Sequence, residues 1–145
     1  FFYIGHAKIA PGSIASLVTT LIFYLFAKHL ISYLFIIIIL ITTFLAFFAI
    51  SVYTYKLIEK DRSEIVIDEV IGQSIALFPL LLFEQTNPPQ LFMCMISLLF
   101  FRFFDIVKPY PIYKFDKMNN TFGVIFDDIL AGVFSALFLL IALSF

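Results

Sequence analysis

Cysteine, histidine and charge are all scarce in this chain of 145 residues, and each scarcity closes off a class of function. The lone cysteine, Cys94, cannot form an internal disulfide, and one cysteine with two histidines makes a poor zinc-ligand set. Cys94 sits in a Phe, Met and Leu run and is expected to be packed or lipid-facing. Nine basic against ten acidic residues leave a net charge of −1, so no surplus positive charge is available for a phosphate backbone and no nucleic-acid partner is expected. What the chain has in quantity is apolar surface. At 63% apolar against roughly 45–50% in soluble domains, it reads as a membrane protein. The chain opens on Phe1 rather than Met, so some natural N-terminus is expected to be missing. Its first long apolar run is followed by a second one, not by a cleavage site and a polar domain, so no signal peptide is read. At this size the expectation is one domain over residues 1–145.

Charge placement says more than charge content. Eight of the charged residues lie between Lys56 and Glu69, and eight more between Arg102 and Asp128; only Lys8, Lys28 and Glu84 fall elsewhere. The rest forms apolar blocks from Ile14 to Ala27, Leu30 to Tyr55, Val70 to Phe83, Leu91 to Phe101 and Ile129 to Phe145. As a helix the second block spans about 39 Å, more than a hydrocarbon core of roughly 30 Å. The others cross only if tilted, extended by a turn, or met by a thinned bilayer. None has the alternating polarity of a barrel strand. The fold class is therefore all-α: a polytopic membrane bundle of about five apolar helices. Pro79 predicts a kink or loosened turn in the third block, and Glu84 to Gln90, with Asn87, Pro88 and Pro89, predicts a loop.

Threading these blocks through a bilayer, with residues 1–13 in the cytoplasm, puts both polar windows on that side. Eight basic residues then lie inside and Lys28 alone outside, which satisfies the positive-inside tendency. Any chemistry is expected at the cytoplasmic face.

Two acidic pairs open apolar blocks: Asp68 and Glu69 in IVIDEVIG, and Asp127 and Asp128 in VIFDDILAG. Compensation of a helix dipole would account for one carboxylate per helix. The spacing suggests more. Gly72 follows Asp68 by one helical turn, and Gly132 follows Asp128 likewise, so each acid stands over a position with no side chain and room for a ligand. With Asp105 at the end of the fourth block, five carboxylates can converge. In a low dielectric they require a cation or protons. The all-oxygen donor set points to a hard divalent ion, Mg²⁺ above others.

Basic residues stand close to these acids. Arg102 and Lys108 flank Asp105 in FRFFDIVKPYPI, where Pro109 and Pro111 are expected to end the helix; both cations are candidate phosphate ligands. Gly12 and Ser13 precede the first apolar block, where helix N–H groups and the Ser13 hydroxyl can cap the helix or hold an anion. His6 and His29 read as interfacial, and Lys56 to Glu64 as a solvated loop.

Three stretches resemble the phosphatidylglycerophosphatase A family of membrane lipid phosphatases: APGSIASL (Ala10 to Leu17), IVIDEVIGQ (Ile65 to Gln73) and the long run from Phe101 to Gly132. The resemblance implies a Mg²⁺-dependent phosphomonoesterase that hydrolyses phosphatidylglycerophosphate, a phospholipid in the bilayer, to phosphatidylglycerol and phosphate at the cytoplasmic membrane of a bacterium. Where the family usually carries glycines, this chain has Ala15, Asn120 and Thr121. On this reading Asp68, Glu69, Asp127 and Asp128 hold the metal, Arg102 and Lys108 neutralise phosphoryl oxygens, and Asp105 orients a base or adds a ligand. Water attack and an aspartyl-phosphate intermediate both stay open. Rival classes fail at particular residues. Phe100 stands where a cysteine-dependent phosphatase using Cys94 would carry arginine, and no Asp-x-Asp pair announces a haloacid dehalogenase. DDILAG lacks the pattern of the CDP-alcohol phosphotransferases, and a small cation carrier would place its acids deep in the helices.

Overall fold

The structure, a computed structural model, describes residues 11–29, 31–56, 66–83, 90–118 and 120–144. The described residues form α1 (Pro11–Phe26), α2 (Ser32–Lys56), α3 (Ile67–Leu77), α4 (Gln90–Val107), a short α5 (Ile112–Asp116) and α6 (Thr121–Leu143), with no strand among them. The all-α architecture expected from composition is thus observed. Among the described residues four segments are long and apolar enough to cross a membrane: Pro11–His29, Ser32–Ser51, Gln90–Val107 and Thr121–Leu143.

The third apolar block is the short one. Proline lacks an N–H and its ring crowds the preceding turn, and α3 duly tightens at Pro79 into a 3-10 turn, Phe78–Leu81. Helix and turn together extend roughly 25 Å, short of a core of about 30 Å. α3 is nevertheless the hub, packing most extensively on α6 and also on α1, α2 and α4. Glycine makes that seam. A Cβ on Gly132 would strike the carbonyl oxygen of Gly72, and one on Gly72 would lie 2.6 Å from the Asp128 carbonyl and 2.5 Å from the Phe101 ring. The positions below Asp68 and Asp128 therefore hold the facing helix, not a ligand, which corrects the sequence expectation. In lipid, where apolar burial drives helix association weakly, such close backbone approach is what van der Waals packing requires.

α1 runs parallel to α3. Its Gly12 lies against Glu69, while Ala27 joins Phe23, Phe35, Leu77, Leu80, Met93 and Cys94 in a core cluster at the other end. Cys94 is thus packed inside the bundle, and Lys28 sits at the end remote from the acids. α2 is the outer helix. Phe44 is 75% exposed, and Leu40 and Phe48 are exposed beside it, the face expected of a helix turned to lipid.

Several helix boundaries differ from the apolar blocks, three of them near the acidic end of the bundle. α1 begins at Pro11, a residue whose fixed φ suits the first helical position, so Ser13 lies inside the first turn and does not cap it. α4 continues past Phe101 to Val107 and stops before Pro109, as the prolines predict. α6 begins at Thr121 instead of Ile129, capped by the Asn120 side chain, which accepts a 2.8 Å hydrogen bond from the Gly123 N–H. His6, residues 57–64 of the solvated stretch and residues 84–89 of the proline-rich turn lie outside the described residues.

Candidate active site

Asp68 and Glu69 occupy the first turn of α3, where the dipole favours negative charge. Asp127 and Asp128 do not have that excuse, because the early start of α6 leaves them past its first turn. Asp68 is 8% exposed and Asp128 4%. Contact between Gly72 and Gly132 sets the two aspartates opposite one another across the α3–α6 seam. One oxygen from each of Asp68, Glu69 and Asp128 lies within 4.8 Å of the others, a spacing that could hold a metal ion. Asp105 is near enough to act electrostatically on Glu69 and Asp128. Four buried or half-buried carboxylates in a low dielectric repel unless protons or a cation intervene, and the donors are all oxygen, as a hard divalent ion prefers.

Asp127 takes a different direction from that expected of it. Its Oδ2 accepts from Lys108 Nζ at 2.8 Å, and the same ammonium donates to Asp116 Oδ1 at 2.6 Å. The sequence reading placed Asp127 with the metal ligands and Lys108 with the phosphate; in the structure they pair with each other, and Asp127 is outside the three-carboxylate group. Burial opposes the charge on Lys108, but hydrogen bonds and attraction from Asp116 and Asp127 outweigh it and hold the ammonium above the ordinary lysine range. Lys108 adopts a left-handed backbone, φ 46°, at the point where α4 ends and the chain turns toward α5. One cation thereby ties α4, α5 and α6 together at the acidic end of the bundle.

Arg102 remains with the acids. Its Nη1 is 2.7 Å from Asp105 Oδ2, an ion pair by distance in which no N–H is aimed at the oxygen, and its buried Nε has no hydrogen-bond partner among the described residues. Its charge also acts on Glu69. A half-buried guanidinium with unmet donors beside an acidic cluster is equipped to receive an anion. Gly12 packs against the Glu69 carboxylate, so the first described turn of α1 reaches the same site. Ser13 is half-buried in that turn.

Two residues enter that sequence reasoning left out. Asp116 carries no periodic signal, since a proline-rich turn separates it from Lys108. Gln73 carries one: it is a polar residue in an apolar run, one helical turn beyond Glu69. It is completely buried.

The family model described as Phosphatidylglycerophosphatase A matches residues 1–143. A Phosphatidylglycerophosphatase A of Haemophilus influenzae is 33% identical over 131 residues, covering 88% of this chain and 76% of that protein. One from Escherichia coli is 40% identical over 77 residues, 52% of this chain and 41% of the relative. A Bacteroides thetaiotaomicron protein, provisionally named a phosphatidylinositol-3-phosphatase, is 36% identical over 85 residues, 59% of this chain and 50% of its own length. The chain thus spans half or less of two of these relatives. No solved structure matches it.

Proposed function

The chain belongs to the phosphatidylglycerophosphatase A family, and from that premise we propose that it is a Mg²⁺-dependent lipid phosphomonoesterase, hydrolysing phosphatidylglycerophosphate to phosphatidylglycerol and phosphate at the cytoplasmic face of a bacterial inner membrane. The observation that carries this reading is the meeting of three carboxylates, from Asp68, Glu69 and Asp128, beside an arginine with unmet donors. The fit to a divalent cation is supported by the donor chemistry and by the Glu69 Oε2, which is buried without a partner. Asp68, Glu69 and Asp128 would hold Mg²⁺, which when bound supplies Lewis-acid stabilisation of phosphoryl charge.

The chain's own residues do the remaining work. Arg102, held through Nη1 by Asp105, turns its Nε donor to the phosphate, and the first turn of α1, Gly12 and Ser13, offers backbone N–H groups to the same anion. Asp105 holds Arg102 in place from one helical turn away and is a further carboxylate beside the cluster that would take a proton from an attacking water. Lys108, already shared by Asp116 and Asp127, ties the end of α4, the helix that carries Arg102 and Asp105, to α5 and α6. Positioning and charge stabilisation are the main demands of phosphoryl transfer, and the site supplies both. The apolar helices keep the site at the membrane surface, where a phospholipid presents its headgroup while its chains stay in the bilayer.

The test is phosphate release in proteoliposomes carrying phosphatidylglycerophosphate, with Mg²⁺ and with a chelator. Activity that needs the cation and vanishes in Asp128→Asn supports the reading. Chelator-resistant activity, or near-normal turnover by Asp128→Asn, removes the cluster from the chemistry. Phosphatidylinositol 3-phosphate, run in parallel, decides which headgroup the site accepts.

A further inference from the structure

We propose that Gly12 and Gln73, neither of which reaches the cation, set the Glu69 carboxylate in its binding position: Gly12 by leaving the space it occupies, Gln73 by hydrogen-bonding its outer oxygen. This rests on the metal-site reading above and extends it to two residues on different helices.

Gly12 is the α1 residue against which Glu69 lies. A Cβ built there would collide with Glu69 Oε1 and stand 2.8 Å from Cδ. The obstructing atoms are the far end of a flexible side chain, so an added methyl displaces the carboxylate and leaves the helices where they are. The glycine seam behaves differently, since at Gly132 the obstruction is backbone. Gln73 supplies the second observation. It is 0% exposed, and among the described residues neither Nε2 nor Oε1 has a hydrogen-bond partner; Glu69 Oε2 is likewise buried and without one there. Side chains on a helix lean toward its N-terminus, so a residue covers the turn before it, and Gln73 covers the turn of Glu69. A rotamer adjustment that carried the Nε2 donor to the Oε2 acceptor would satisfy both. Metal-binding carboxylates are commonly held by such outer hydrogen bonds, whose loss weakens metal affinity about 10–100-fold.

The measurement is Mn²⁺ binding by electron paramagnetic resonance to the full chain in detergent, Mn²⁺ standing in for Mg²⁺ at a hard oxygen site, together with thermal unfolding in the absence of metal. Gly12→Ala and the near-isosteric Gln73→Met should each raise the Mn²⁺ concentration at half-saturation by about 10–100-fold. Their metal-free unfolding temperatures should stay at or above that of the wild type. Glu69→Asp, which draws the carboxylate back, should make Gly12→Ala silent: the double variant should bind as Glu69→Asp does alone. Additive losses in that cycle, or lower metal-free stability with unchanged Mn²⁺ affinity, overturn the proposal. If Glu69→Gln loses Mn²⁺ while Gly12→Ala and Gln73→Met bind normally, the cradle is wrong and the metal site stands. If Glu69→Gln binds like the wild type, the metal site falls and the cradle with it.

Discussion

The two acidic pairs look interchangeable as text, yet they meet the rest of the molecule differently. Aligned on their glycines, Gly72 and Gly132, they are out of step by one residue. Asp68 and Asp128 occupy equivalent positions, one turn before the glycine, while Glu69 follows the first aspartate and Asp127 precedes the second. One residue on a helix is a rotation of about 100°. That rotation sends Glu69 toward α1 and into the carboxylate group, and sends Asp127 toward Lys108 and out of it. The contact between the glycines decides which acids meet; the acids' adjacency in sequence does not.

The sharpest way to break this comparison is to test the equivalence of Asp68 and Asp128. Asparagine at either position should lower phosphate release on the order of 10²–10³-fold or more, the scale of losing a central electrostatic group, and by similar factors at both. A tenfold difference between the two variants would show that the seam does not present them alike. Next comes the seam itself. Gly132→Ala drives a methyl into the Gly72 carbonyl, and relief requires α6 to move away from α3. Overpacking of this kind costs about 1–3 kcal/mol, and it carries Asp128 away from Asp68. Thermal unfolding and activity should therefore fall together. Unchanged unfolding would mean that the helices are not in backbone contact.

Helical character and the α4 stop were legible in the chain, because long apolar runs and prolines act locally. The tightening at Pro79 was legible for the same reason. The acidic cluster was legible in part: Asp68, Glu69 and Asp128 could be named from their place in apolar blocks. What could not be read was rotation. Apolar blocks start where charges stop, and that rule put the start of the last helix at Ile129; Asn120, well before it at the true cap, marks the helix start by hydrogen bonding and not by hydropathy. With the start misplaced, Asp127 and Asp128 both looked like helix-tip residues. The glycines were misread for a related reason: spacing reveals that two side chains are missing, but only the packed helices reveal what fills the space.

The smaller predictions separate the two members of the α6 pair. Asp127→Asn removes a nearly buried partner of Lys108, the Asp127 side chain being 9% exposed, but leaves the ammonium its bond to Asp116. Activity should fall roughly 10-fold, as for a group that positions another, and Mn²⁺ affinity should stay close to the wild-type value because Asp127 lies outside the three-carboxylate group. A loss of affinity as large as that of Asp128→Asn would return Asp127 to the metal ligands.

Asp116→Asn should do least. Its side chain is 35% exposed, so water already screens the attraction to Lys108, and exposed pairs contribute about 0–1 kcal/mol. The less exposed Asp127, 2.8 Å away, remains to hold the ammonium against α6. Unfolding temperature and activity should both stay near the wild-type values, with the double variant Asp116→Asn/Asp127→Asn losing more than the two single variants combined, because only then is a half-buried ammonium left with neither partner. Strictly additive losses in that cycle would show that the two aspartates do not share Lys108.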